Sequence, residues 1–168
     1  MRALLLINFQ IDFFQGGAIG IDAGQELVDF ANALMPSYER IIAVRDWHPA
    51  AHQSFASSHL WRRPGQVMQI NGQAQLLWQM HCVQESFGAE WAMGLDVSNF
   101  HHIVNKGTNA TTNGYSAFAE TDLEDFLRAA GIQELHLIGM AREYDVAYTA
   151  ADAATLGFGV QVIEEGCR

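Results

Sequence analysis

The sequence predicts a three-layer α/β/α fold on a parallel sheet. Three observations predict it. Short, unbroken apolar runs suit strands buried on both faces. Segments with helical apolar spacing alternate with those runs, and glycine or proline closes most of the helical segments.

Ala3-Leu4-Leu5-Leu6-Ile7 is the first such run, followed by polar residues and Gly16-Gly17. From about Gly24 to Met35, Leu27, Ala31 and Leu34 recur at helical spacing, and Pro36 closes the helix. Ile41 to Val44 reads as the second strand. Periodicity is poor from about residue 45 to 100, where Trp, His, Gln and Gly are frequent. A loop-rich stretch this long inside one domain spanning 1–168 usually holds a site. Regular structure resumes with the strand His102 to Val104. Thr121-Asp122-Leu123-Glu124 reads as a capping box for a helix lined by Leu123, Phe126, Leu127 and Ala130 and stopped by Gly131. Leu135 to Ile138 is a further strand, ending at Gly139. Val146, Ala150 and Ala153 line a helix that stops near Gly157, and Val160 to Ile163 is the last strand. Right-handed crossovers then make the sheet parallel, Rossmann-like, with helices on both faces.

The 168 residues carry 9 basic and 19 acidic side chains, a net charge of −10. Such a surface repels phosphate backbones and anionic membranes, so neither nucleic acid nor a membrane is expected as a partner. The two cysteines, Cys82 and Cys167, form no disulfide or zinc pattern and suit a reducing, cytoplasmic setting. No apolar stretch is long enough to span a bilayer.

In open α/β sheets, ligands sit at the carboxyl ends of the strands. That rule selects Asn8, Asp46, Lys106 and the segment after Gly139. Asp46 and His48, two apart on an extended chain, share a face, and His81 can supply a third metal ligand; two His and one carboxylate suit Zn²⁺ or Fe²⁺. From spacing alone, three ordinary polar loop residues are the commoner explanation. His52 is a fourth candidate ligand or a partner lying behind the ligands. Lys106 can steer a carbonyl or simply be solvated, and Asp145 can cap a helix N-terminus.

Read together, the segments resemble nicotinamidases of the isochorismatase-like hydrolase family along the whole chain. Asn8-Phe9-Gln10-Ile11-Asp12-Phe13 is similar to V-D-x-Q-N-D-F. The run from Asp46 to Ala56 is similar to D-W-H-P-x-x-H-x-S-F, and Trp78 to Gln84 to W-P-x-H-C-V-Q. Lys106-Gly107-Thr108-Asn109 and Tyr115-Ser116-Ala117-Phe118 match K-G-x-x and Y-S-A-F. Gly139 to Val146 resembles G-x-A-T-D-x-C-V, and Glu165-Gly166-Cys167-Arg168 resembles D-G-C-R. The resemblance implies the isochorismatase-like hydrolase fold, here without the C-terminal helix and edge strand that follow D-G-C-R in the family, and so an exposed strand edge open to a homo-oligomer. It implies a divalent metal (Zn or Fe, with Mn as a further candidate) on Asp46, His48 and His81, with His52 a candidate fourth. The metal holds the ring nitrogen of an aromatic amide such as nicotinamide, and Phe13, Trp78 and Tyr115 line the ring pocket. A cis Met140–Ala141 bond aims the Ala141 N–H, with that of residue 145, at the carbonyl as an oxyanion hole.

The family reaction uses an Asp, a Lys and a Cys: the Asp takes the thiol proton, and the Cys attacks the amide. Of the three triad positions, Asn8, Lys106 and Asp145, only Lys106 keeps the family residue. An amide at 8 cannot take up a proton near neutral pH, and a carboxylate at 145 is a poor nucleophile toward an amide. The two changes conserve one anion, so a Lys106–Asp145 pair is expected. Ile11, Met80 and Arg142-Glu143 also depart from the family pattern, at the pocket rim. Three readings follow: a metal and amide pocket with little or no turnover, an active hydrolase with Asp145 as general base, or a protein that uses only the fold.

Overall fold

The computed structural model describes all of residues 1–168. Five parallel strands form the main sheet: β1 (Arg2–Ile7), β2 (Ile41–Asp46), β5 (His102–Lys106), β6 (Glu134–Gly139) and β7 (Gly159–Cys167), in the order β5-β2-β1-β6-β7. The apolar run Ala3–Ile7 is the central strand and is wholly buried. Its alternate side chains serve opposite faces, as a period of two requires. Leu4 and Leu6 pack with Leu27, Val28 and Ala31 of helix α1 (Gln25–Leu34). Leu5 and Ile7 pack with Leu123 and Leu127 of α2 (Leu123–Ala129) and Ala153 of α3 (Ala147–Thr155). The expected three layers are therefore present. No helix is long and apolar enough to cross a membrane.

The strand registers place the site. Ile7 pairs with Gly139, and Asp46 with Lys106, so Asn8, Asp46, Lys106 and the chain after Gly139 emerge together. Gly139 has φ +140°, and any Cβ there would strike the Ile7 carbonyl. Only glycine lets β6 lie this close to β1 at its carboxyl end.

Three local expectations change. The loop-rich region holds an antiparallel hairpin, β3 (Val67–Ile70) and β4 (Gln73–Leu76), turning at Asn71 (φ 52°) and Gly72 (φ 80°). Thr121 does not form a capping box: its hydroxyl donates to the Ala117 carbonyl and accepts from the Leu123 N–H, while Glu124 pairs with Arg128. The last strand runs four residues beyond Ile163, to Cys167, and lies at one edge of the sheet.

Candidate metal centre and amide pocket

Asp46 ends β2, and its side chain is almost fully buried. Gln10 fixes it through the backbone: Nε2 donates to the Asp46 carbonyl at 2.8 Å, and Oε1 accepts the Asp46 N–H at 2.8 Å. Nε2 also donates to the Ala89 carbonyl. His48 sits two residues on, its backbone bridged to Val83. His81 follows from the segment that Asp12 anchors, whose Oδ2 accepts the Cys82 N–H at 2.8 Å.

The ligand atoms of Asp46, His48 and His81 lie within 4.8 Å of one another. Both Nε2 atoms stand 3.4 Å from Asp46 Oδ2. His48 Nδ1 is 2.8 Å from the Gly107 carbonyl, and His81 Nδ1 is 2.8 Å from the Gln79 carbonyl. A carbonyl only accepts, so each Nδ1 carries a proton, and Nε2 is the ring nitrogen that each imidazole turns toward the carboxylate. Two imidazole Nε2 atoms and a carboxylate converging in a buried space fit a divalent cation, and the carbonyls that orient the two rings are already in place.

His52, the fourth candidate, is not brought into that set. Its ring lies 4.3 Å from the His48 ring, centroid to centroid. Its Nδ1 takes the Ser54 hydroxyl at 2.7 Å and the Ser54 N–H at 3.3 Å, and its Nε2 is buried without a partner. Burial, with the nearby His48, pushes its pKa down to about 3. His52 is thus held neutral and shapes the wall behind His48. A depressed pKa favours the folded protein above the unfolded value near 6.5, and that advantage is lost as pH falls toward 3. For metal-free protein, going from pH 7.5 to 5 is expected to cost wild type on the order of 1–2 kcal/mol more than His52→Asn, read from urea midpoints.

Lys106, closing β5, is completely buried. Its ammonium donates to Asp46 Oδ1 (2.5 Å), to the Gly114 carbonyl (3.0 Å) and to Asp145 Oδ1. Burial works against its charge, but Asp145 and Asp46 outweigh that and hold its pKa above the usual lysine value. Burial also pushes Asp46 up, yet Lys106 and His48 hold it well below the ordinary carboxylate range. The expected Lys106–Asp145 ion pair is formed. Asp145 is no helix cap: the helical turn begins at Arg142, after Ala141, and the carboxylate turns inward to Lys106. Asn8 (φ 58°) lies at the same level, sealed from solvent, and neither of its amide atoms makes a hydrogen bond.

The pocket above these groups is lined by Phe13, Trp78, Tyr115 and Ala141 as well as Asp46, His48, His81 and Asp145. Trp78 Nε1 donates to the Tyr115 hydroxyl at 3.0 Å, and Gln75 donates to it at 3.1 Å. Tyr144 packs edge-on to Trp78 at 4.9 Å. The Met140–Ala141 bond is cis. Sequence reading assigns no role to Gln10, Ser54, Gln75, Gly114 or Tyr144. Gln10 and Ser54 lay inside quoted motifs; the Gly114 carbonyl carries no side-chain signal.

Gly107 (φ 62°) deserves a test, because a Cβ there would sit 2.5 Å from His48 Nδ1. Gly107→Ala is expected to tilt that imidazole and weaken metal affinity by about 10–100-fold, measured by competition with a chelator.

The sequence model of the Isochorismatase domain matches residues 2–168. The chain is 42% identical to the nicotinamidase of Escherichia coli (strain K12), covering 99% of this chain and 83% of that one. The structure of the yeast nicotinamidase bound to the inhibitor nicotinaldehyde superposes with a TM-score of 0.90 at 30% identity, covering 100% of this chain and 88% of that one. The pyrazinamidase of Pyrococcus horikoshii in complex with zinc gives 0.81 at 32% identity, covering 99% and 86%. With sequence, fold and ligand geometry in agreement, this chain belongs to the isochorismatase family, and its relatives include nicotinamidases.

Proposed function

We propose that this protein binds a divalent metal through Asp46, His48 and His81 and holds a small aromatic amide of the nicotinamide type beside it, with little or no hydrolysis. A metal in that position supplies a Lewis acid for a ring nitrogen. Phe13, Trp78 and Tyr115 offer the apolar faces and edges that a flat ring packs against. The position of Ala141 on the wall supports an oxyanion-type donor from its N–H, with that of residue 145.

One observation carries the absence of turnover. The three donors of Lys106 are spent on Asp46, Gly114 and Asp145, and the neighbour at position 8 is an amide. No thiol stands at 145, and no carboxylate at 8 can accept a proton from a nucleophile. The two cysteines do not replace it: both are buried, and burial raises both thiol pKa values. Free buried thiols accord with a reducing, cytoplasmic setting.

The experiment is metal analysis, calorimetric binding of nicotinamide and an ammonia-release assay on one preparation. About one equivalent of Zn, Fe or Mn, saturable binding and no ammonia above background are expected. Ammonia release abolished by Lys106→Ala overturns the reading. A second reading, Asp145 as general base for water, is favoured by its pocket-facing carboxylate. It requires a turnover that follows a carboxylate titration and vanishes in Asp145→Asn. A metal-free preparation that cannot be loaded would point instead to a role for the fold alone.

A further inference from the structure

The Asp145 side chain has two unequal oxygens. Oδ1 is tied to Lys106. Oδ2 has no partner at hydrogen-bond geometry, and unlike the Asn8 amide it is not sealed from solvent; Asp145 lines the pocket, and the Asn8 amide lies near enough to its carboxyl to favour the charged form. The remaining wall offers no competing cation: the Lys106 ammonium has three donors and all three are used. A ligand seated on Phe13 and Trp78 therefore meets an anionic acceptor at Asp145 and finds no free ammonium.

From this arrangement, and resting on the proposed amide pocket, we infer that Asp145 is a specificity residue that admits carboxamides and amines on a heteroaromatic ring and rejects the corresponding carboxylates. A carboxamide has an N–H to give Asp145 Oδ2 and a carbonyl oxygen to accept from a backbone N–H such as that of Ala141. An aminomethyl group places an ammonium against the same oxygen. A carboxylate brings only acceptors and sets a second anion beside Asp145, where the Lys106 ammonium has no donor left to offer it. The pocket thus holds the amide side of an amide–acid pair and excludes the acid side, which is the reverse of what a site releasing an acid tolerates.

The test is calorimetric titration of metal-loaded protein with nicotinamide, 3-(aminomethyl)pyridine and nicotinate. Each contains the same pyridine nitrogen, so contributions from metal and ring stacking are shared. Nicotinamide and the amine are expected to bind at least about tenfold more tightly than nicotinate, the worth of one charge-assisted hydrogen bond. In Asp145→Asn, which keeps the shape and adds a donor, that ratio is expected to fall to within about threefold. Should Asp145→Asn not fold, the ordering of the three ligands on the unaltered protein decides alone. Nicotinate binding as tightly as the amide and the amine overturns the inference and leaves the amide pocket standing. No binding of any of the three to metal-loaded protein overturns the pocket itself.

Discussion

Replacing Asn8 by Asp together with Asp145 by Cys is expected to raise ammonia release from nicotinamide by on the order of 10⁴-fold or more over the unaltered protein, because residues that act as a unit lose and regain activity together. The scaffold for that gain is in place. Lys106 is buried and charged, Ala141 lines the pocket, and the metal ligands converge. Asp145→Cys alone is expected to give little, since the thiol would face an amide that cannot take its proton. Asn8→Asp alone is expected to give less, since it would add a second carboxylate beside Asp145. Initial rates on metal-loaded single and double variants check this. A folded, metal-loaded double variant that stays at background would show that the two triad positions are not what limits the chemistry.

Lys106→Met should be the most damaging single change to stability, costing about 3–5 kcal/mol in metal-free protein at neutral pH. Lys106 stands between two buried carboxylates; without it Asp145 loses its one ion-pair partner, and Asp46 is left with His48 and His81. Methionine fills the space of the stem, so the loss reports charge rather than volume. The sign with pH follows: as pH falls, one of the orphaned carboxylates takes up a proton, and the deficit shrinks. Urea denaturation at pH 7.5 and pH 5 measures both effects. A deficit under about 1 kcal/mol at pH 7.5 would mean that the carboxylates find another neutralising partner.

Much of the fold was legible because its strands are written as uninterrupted apolar runs. Leu4 and Leu6 serve one face, Leu5 and Ile7 the other, and no polar residue breaks the pattern. The β3–β4 hairpin was not legible by that route, since Gln69, Gln73 and Gln75 dilute its hydrophobic signal. Its one local mark was Asn71-Gly72, the pair that tolerates two successive positive φ angles in a tight turn. Position 145 shows the opposite limit. Taken alone, a carboxylate near a helix start reads as a cap; the pair with Lys106 was expected only once the family pattern set both residues at one site, and the ion pair is formed. The metal ligands were readable from residue type, but their protonation was not. That follows from carbonyls of Gly107 and Gln79, which no side-chain pattern announces.

The paired grip of Gln10 on the main chain of Asp46 reaches beyond neatness of packing. It splints the strand terminus independently of any ion, so the cage is rigid before it is filled. Chelation should then leave amide hydrogen exchange at residue 46 almost unchanged, and the metal should lift the melting temperature only as far as its concentration over its dissociation constant dictates.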